Sequence, residues 1–207
     1  MRTILAGLLV LHAAPALAQG TSTLVVRRGG AEVGREQVAF QAQRRDGHSG
    51  STLTISAKYP AANPTTEIGV RLERTPDNQL AVFQLDVERP DGPAHIFAAG
   101  AGARVILKTI AKGAEAGREL PGGPDVVLLD ENVVGLYAAV ADLATPAGAR
   151  LSAIFPRSGR RASLVATRAG ARIILSGEVT GTLGLDAGGR LVKVELPGQG
   201  IVATLAE

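Results

Sequence analysis

The sequence contains no cysteine among its 207 residues. Disulfide bonds are therefore excluded, and so is the cysteine-linked lipid anchor by which bacterial lipoproteins are tethered. A chain of this length buries about two thirds of the surface that its unfolded form exposes, so it does not need cross-links. We expect a fold that is held by an apolar core and by the backbone hydrogen bonds of a sheet.

Tryptophan is also absent, and the only other aromatic residues are two tyrosines and four phenylalanines. Proteins that bind nucleic acid usually combine clustered basic faces with aromatic side chains on which bases stack. Here the formal net charge is only +3, and the basic pairs Arg27–Arg28 and Arg44–Arg45 lie next to predicted turns. The composition therefore predicts no nucleic-acid partner.

Long apolar runs are missing beyond residue 18, so no transmembrane span is predicted in the mature chain. Residues 1–18 have the three parts of a secretory signal: a basic start at Arg2, an apolar run over residues 4–11, and small residues at Ala16 and Ala18. The alternative, a membrane anchor, needs about 20 apolar residues, and this run is too short. We predict cleavage after Ala18 and a mature protein that is periplasmic or secreted in a bacterium.

Alternation of apolar and polar residues is the strongest pattern in the rest of the chain. It is clearest in three successive segments, 51–59, 67–74 and 81–89, which are separated by turn-rich stretches. Strands with one buried and one wet face typically pair antiparallel. We predict a mainly β fold in one domain, 19–207: a strongly curved antiparallel sheet, forming a half-barrel or open barrel, of about 9–11 strands.

Residues 132–144 break this alternation. Their apolar side chains recur at the spacing of a helical face: Val133, Leu136, Tyr137, Val140 and Leu143. Asp130 or Asn132 is expected to cap the helix, and Pro146 to limit its continuation. Because the opposite face is mostly Ala, Gly and Val, we predict one buried helix near 132–144 on the concave side of the sheet.

Two glycine-rich segments carry further local predictions. Residues 113–124 are expected to form a surface loop between the sheet and the helix. Residues 172–186 are expected to form one unusually long strand, which Gly177 and Gly181 allow to bend.

Candidate catalytic residues are few. The mature chain has two histidines, His48 in a predicted turn over 46–50 and His95 at a predicted strand start. A catalytic histidine needs partners placed by the fold, and a neighbouring Ser49 does not supply them. A zinc site needs at least three ligands, which His95 reaches only with Asp86, Glu88 or Asp91 and the distant His48. We predict no catalytic residue, no metal site and no cofactor.

Two groups of charged residues have both a structural and a functional interpretation. Asp130 and Glu131 can act as a carboxylate pair, but acids before a helix are also favoured by the helix dipole. Arg157, Arg160 and Arg161 at a predicted hairpin tip can meet anionic lipid head groups, or can simply form a solvated turn. The structural interpretation is favoured for both groups.

The segment from Val127–Asp130 through Asn132 and Tyr137 to Phe155–Pro156, together with the order of elements, resembles a group of bacterial exported proteins of unknown function. That resemblance implies a half-barrel of long antiparallel strands. More widely, the architecture resembles the lipoprotein carriers and lipid-binding proteins of the bacterial envelope, which hold acyl chains between a half-barrel and a covering helix. These carriers have no catalytic motif to transfer, and this chain has far fewer aromatic residues than a typical lipid cavity.

We therefore expect a non-enzymatic envelope protein that binds a hydrophobic or lipid-like ligand on the concave face of its sheet. The candidate ligand-binding residues lie on one predicted strand and on the predicted helix: Phe83, Leu85, Val87, Leu136, Tyr137 and Val140. The alternative is an interaction or assembly module that docks another envelope protein through a sheet edge or the convex face. A hydrolase is the least favoured class, because polar catalytic residue types are scarce.

Overall fold

A computed structural model of the chain describes residues 20–45 and 48–206. The predicted signal sequence lies outside these residues. The described residues form fifteen β-strands: Gly20–Arg28 (β1), Ala31–Arg45 (β2), His48–Tyr59 (β3), Thr66–Arg74 (β4), Leu80–Glu88 (β5), Ala94–Ala101 (β6), Arg104–Ala111 (β7), Ala114–Pro121 (β8), Val126–Leu128 (β9), Ala149–Phe155 (β10), Arg160–Ala169 (β11), Arg172–Gly177 (β12), Gly181–Leu185 (β13), Leu191–Leu196 (β14) and Ile201–Leu205 (β15). They also form one α-helix, Tyr137–Leu143 (α1), and two single 3₁₀ turns, Val134–Leu136 and Pro197–Gln199.

All fifteen strands belong to one sheet, in the order β8-β7-β6-β5-β4-β3-β2-β1-β15-β14-β13-β12-β11-β10-β9. Neighbouring strands are antiparallel, except that β9 runs parallel to β10. The first and last strands meet in the middle of the sheet, where Leu24 of β1 lies opposite Leu205 of β15. Since β8 and β9 form the two ends of the sheet and do not pair with each other, the prediction of a mainly β, curved and unclosed antiparallel sheet is confirmed.

The core lies on the concave face, as the alternation predicts. Cross-strand rows of apolar residues build it; in one of them Leu53, Leu72 and Phe83 lie opposite one another on β3, β4 and β5. All three are buried. Burial of each such side chain stabilises the fold by about 1.5–3 kcal/mol.

The sheet has more strands than the predicted 9–11, for local reasons. The predicted loop over 113–124 contains β8, whose residues are nearly all exposed and therefore show no apolar alternation. The predicted long strand over 172–186 is a hairpin of β12 and β13, because Gly177 adopts a φ of 105° and ends β12. Strand β9 has only three residues, all buried, and is too short to show a period.

The predicted buried helix near 132–144 is present, but it is shorter and begins as a 3₁₀ turn. The prediction that Asp130 or Asn132 caps the helix was wrong, because neither side chain caps the 3₁₀ turn or α1. We call residues 130–144 the plug segment, because they lie against the concave face. The 3₁₀ turn packs against β2 and β3, and α1 packs against β11 and β14.

The predicted turn over 46–50 is only partly within the described residues, which exclude Asp46 and Gly47. His48 to Gly50 begin β3 and are not in a turn. Within the described ranges, none of the helical segments has the length and apolar character needed to span a membrane.

Candidate functional site: the plug anchor and the open sheet edge

The six predicted ligand-binding residues all lie in the core. Phe83, Leu85 and Val87 point inward from β5, and Leu136, Tyr137 and Val140 belong to the plug segment; each is at most 1% exposed. All six are members of one continuous apolar cluster. A ligand on the concave face would therefore have to displace the plug segment.

A buried carboxylate, Glu36 of β2, holds the N-terminal part of the plug segment. Its side chain is 0% exposed. Its Oε1 accepts a hydrogen bond from the backbone N–H of Val134 (2.9 Å), and its Oε2 accepts one from Gly135 (2.6 Å). The hydroxyl of Tyr59 donates a third hydrogen bond to Oε1. Glu36 thus satisfies the backbone donors that open the 3₁₀ turn, which a capping side chain of the turn itself would otherwise do. We call Glu36 and Tyr59 the plug anchor.

The anchor has unusual electrostatics. Burial raises the pKa of Glu36 from 4.5 to about 7, although its hydrogen bonds oppose the increase, and no cation pairs with it among the described residues. Burial also raises the pKa of Tyr59, and the neighbouring Glu36 adds to that effect. The ring of Tyr59 lies across Gly34, where a Cβ would be 2.2 Å from ring carbon Cδ1. Glycine at 34 is therefore required for the ring to reach the carboxylate.

Arginine side chains hold the far end of the plug segment and one end of the sheet. Arg168 of β11 donates to the carbonyls of Ala141 (2.5 Å), in the last turn of α1, and of Ala144 (3.3 Å), the residue that follows the helix. Arg74 of β4 donates through Nη2 to the carbonyl of Val126 on β9 (2.5 Å). Burial lowers the pKa of Arg74 to about 10, and its Nε has no hydrogen-bond partner. Arg74 therefore ties the last strand of the sheet to the other half of the barrel.

The two groups of charged residues singled out in the sequence lie together. Arg157 donates from Nε to Oδ2 of the buried Asp130 (2.6 Å) and from Nη2 to Oδ1. Arg160 stacks on the ring of Phe155 at 3.6 Å and lies 3.5 Å from Glu131. These four charges are engaged with one another beside a small cleft of about 230 Å³. This geometry supports the structural interpretation of the acidic pair and of Arg157 and Arg160, while Arg161 of the predicted group is exposed.

His95 lies on the convex face, half-exposed, as the sequence predicts. Its Nδ1 is 2.7 Å from Oδ1 of Asp86 on the neighbouring strand, and Gln84 donates to the other oxygen of that carboxylate (2.7 Å). The next residues in the same cross-strand row are Gly69 and Ile110, neither of which is a nucleophile. Nothing is described of the His48 side chain. Across residues 20–45 and 48–206, no three His, Asp or Glu side chains are grouped as metal ligands.

One edge of the sheet is open. Strand β8 pairs with β7 on one side, and no described strand pairs with its other side. The N–H of Gly122 donates to the carbonyl of Ala103 (2.8 Å). This hydrogen bond establishes which alternate residues of β8 bond to β7 and which do not. Because antiparallel strands turn alternate residues toward the partner, the backbone groups of Glu115, Gly117 and Glu119 point outward. We call this row of unpaired N–H and C=O groups the open edge.

Large apolar side chains are exposed on the convex face close to the open edge. Ile106 on β7 is 54% exposed, Val82 on β5 is 41% exposed, and Phe97 on β6 is 38% exposed. Val82 and Ile106 lie in one cross-strand row with Ala99 between them. This group forms a small apolar surface that reaches to within one strand of the open edge.

The plug anchor was not predicted from the sequence, and docking through a sheet edge was considered without β8 being identified as that edge. A signal for the anchor exists, since Gly34, Glu36, Val38 and Phe40 share one face of β2 and an acid is out of place among them. A signal for β8 is also present, since Lys112-Gly113 can form a two-residue hairpin turn, and both residues do have positive φ. Each signal consists of only one or two residues, whereas hydrophobic periodicity is detected only over longer stretches of sequence.

No protein-family model matches this sequence, and no curated protein is similar to it. Two solved bacterial structures are similar to this chain. One is a β-barrel-like protein of domain of unknown function DUF1849 from Brucella abortus, with a TM-score of 0.54 and 10% identity over 94% of this chain and 98% of that chain. The other is a DUF1089 family protein from Pseudomonas aeruginosa, with a TM-score of 0.44 and 15% identity over 95% of this chain and 98% of that chain.

At these identities the first similarity concerns the fold alone. It agrees with the open, curved, mainly β sheet and with the resemblance to bacterial proteins of unknown function. The resemblance to lipoprotein carriers stays a prediction.

Proposed function

We propose that this protein is an exported, non-enzymatic module of the bacterial envelope that docks another protein along its open edge. The observation that supports the proposal is β8 itself, an exposed strand with a free row of backbone donors and acceptors. Extended segments of partner proteins commonly add to such an edge as a further strand. Unprotected edges are otherwise avoided, because they invite aggregation.

The filled concave face also favours docking at the surface. A module that binds through its sheet edge does not need an internal cavity, whereas a ligand carrier does. The convex apolar surface of Val82, Phe97 and Ile106 provides further area beside the edge.

Site-specific photo-crosslinking in the bacterial host tests this proposal. A photoreactive residue at position 115 on the open edge should yield a discrete covalent adduct with a second protein. The same residue at Ser56, on the convex face of β3 inside the sheet, serves as the control and should yield none. Equal adducts at both positions, or none at position 115, would contradict the proposal.

A proline at position 117 sharpens the test. Gly117→Pro removes an outward N–H and leaves the ladder to β7 intact, so it should abolish the adduct at position 115 without unfolding the protein. Gly117→Ala keeps the N–H and should preserve the adduct. If both variants behave alike, the edge is not the docking surface.

Ligand binding on the concave face is the second candidate function. The observation that favours it is how the plug segment is held: its body is apolar, and polar contacts from Glu36 and Arg168 fasten its two ends. A segment fastened in this way can leave as a unit and expose an apolar trough on the strands that it packs against, including Val38 of β2 and Ile55 of β3. Native mass spectrometry of the protein purified from its own envelope should then show a co-purifying lipid, with higher occupancy in Glu36→Gln. Lipid-free protein in both forms would exclude this function.

A further inference from the structure

The open edge presents a specific order of side chains. The three residues of β8 whose backbone N–H and C=O groups both point outward, Glu115, Gly117 and Glu119, also place their side chains on the convex face. Any strand that adds to this edge sets its own convex-face side chains directly opposite them, at distances of about 4.5–5.5 Å between Cβ atoms. The open edge therefore presents to a partner strand an acidic side chain, a glycine without a side chain and a second acidic side chain.

We propose that the open edge binds an extended protein segment whose successive convex-face residues are basic, aromatic and basic. This inference rests on the proposed docking function and specifies the side chains that the partner segment presents. The pattern reads the same in both directions, so it applies to a parallel or an antiparallel partner strand.

The two acids have capacity for a further cation. Lys108 lies 2.8 Å from Oε1 of Glu115, and Arg104 lies 2.5 Å from Oε1 of Glu119. Each of these contacts uses one carboxylate oxygen, and a carboxylate offers about four acceptor positions on its two oxygens. Lys108 and Arg104 lie on the β7 side, so a Lys or Arg on an added strand would approach each acid from the opposite side.

The glycine between the two acids leaves a notch that an aromatic ring can fill. A Cβ at Gly117 would meet no atom within 4 Å, so the convex surface is empty there. Behind the notch, Lys108 and then Phe97 continue the same cross-strand row, and Ile106 lies one position along. An aromatic side chain opposite an edge glycine covers that glycine and packs on such neighbours. Here it would bury the stem of Lys108 and the exposed face of Ile106.

A second copy of this chain fits the edge poorly. Two copies of β8 paired around a two-fold axis at Gly117 would place Glu115 of each copy opposite Glu119 of the other. Like charges directly opposite each other destabilise a strand pair. Self-association is therefore an outcome of the test that would count against the proposal.

Fluorescence anisotropy with short labelled peptides tests the pattern on the mature protein. One peptide has Lys, Phe and Lys at alternate positions, with threonine between them; its charge-reversed match has Glu, Phe and Glu. We expect the basic peptide to bind about tenfold more tightly, because two favourable cross-strand pairs replace two unfavourable ones. The preference should weaken as salt is added, because the charges are exposed. Equal affinity for the two peptides overturns the proposal.

Charge reversal in the protein should invert the preference. Glu115→Lys combined with Glu119→Lys should favour the acidic peptide over the basic one. Glu67→Lys combined with Glu73→Lys is the matched control, since these convex-face acids on β4 also lie beside cations, Lys58 and Arg71, but away from the edge. The control should keep the preference of the wild-type protein, and a preference lost equally in both double variants would contradict the edge assignment.

A separate comparison tests the aromatic residue of the peptide, which is expected to pack over Gly117. A basic peptide with alanine in place of phenylalanine should bind several-fold more weakly to the wild-type protein, and Gly117→Val should remove that difference by filling the notch. If the in-cell adduct at position 115 forms but no peptide preference exists, the pattern is wrong and the docking function stands. If the adduct is also absent, both fail. Sedimentation that shows a dimer through β8 would replace the partner with a second copy.

Discussion

Removing the charge of Glu36 should change how the stability of the protein depends on pH. In the folded protein the pKa of this buried carboxyl is raised to about 7, compared with 4.5 for an ordinary glutamate. Between these two values the folded protein binds a proton that the unfolded chain releases. The stabilisation that follows is fully present below pH 4.5 and is lost as the pH rises to about 7.

The size of the effect follows from that interval. At about 1.4 kcal/mol for each pH unit, an interval from 4.5 to about 7 corresponds to about 3 kcal/mol. That is a substantial part of the 5–15 kcal/mol by which a domain of this kind is typically stable. Glu36→Gln cannot titrate at this position. The stability of the wild-type protein relative to the variant should therefore fall by about 3 kcal/mol as the pH is raised from 4.5 to about 7.

Equilibrium unfolding in urea, repeated across this pH range for both proteins, measures the difference directly. Other titrating groups are common to the two proteins and cancel in the comparison. Glu88→Gln, at an exposed position on β5, is the control and should follow the wild-type curve. Parallel curves for the wild-type protein and Glu36→Gln would refute the reasoning, because the carboxyl would then titrate alike in the folded and unfolded chains.

Three further outcomes are expected. Gly34→Ala should cost about 2 kcal/mol in thermal or urea unfolding, because the new methyl displaces the tyrosine ring of the plug anchor, whereas Gly69→Ala, with open space around it, should change stability by less than about 0.5 kcal/mol. Asp130→Asn should cost about 2 kcal/mol by leaving Arg157 without its buried partner, and adding Arg157→Met should recover part of that loss; strict additivity in this double-mutant cycle would show that the pair does not interact. Mass spectrometry of the protein from its native host should give the mass of residues 19–207, and Ala18→Asp should leave the longer precursor.

The sheet was predictable where the chain alternates over many residues. On β3, β4 and β5 each apolar residue predicted to face inward is on the concave face, because one buried and one wet face force a period of two. The buried helix was predictable for the same reason, since Leu136, Tyr137 and Val140 share a face and are all buried. In both cases one face of the element is buried, and this requirement produces the apolar periodicity from which the element was predicted.

The candidate sites follow from exceptions to those patterns. Glu36 occupies a core position, where its side chain is satisfied by backbone donors that are distant in sequence, and no local rule predicts that pairing. Strand β8 has almost no buried residue, so it is held mainly by its hydrogen bonds to β7, which leave no pattern in the sequence. The caps expected from Asp130 and Asn132 are absent because the 3₁₀ turn begins after Val133 and its first N–H groups donate to Glu36, a contact distant in sequence.

The order of strands has a consequence for how fast the chain folds. Strand β15 lies between β1 and β14, and the N–H of Ala206 donates to the carbonyl of Thr23 (2.8 Å). The two halves of the sheet therefore become one only when the last described strand is available, while the two unjoined ends, β8 and β9, are consecutive in the chain. Contacts of such long sequence separation slow folding, because a large loop must be closed first. A circular permutant that connects residue 206 to residue 20 through a short flexible linker and opens the chain between β8 and β9 would remove that long closure, and it should fold faster into the same sheet.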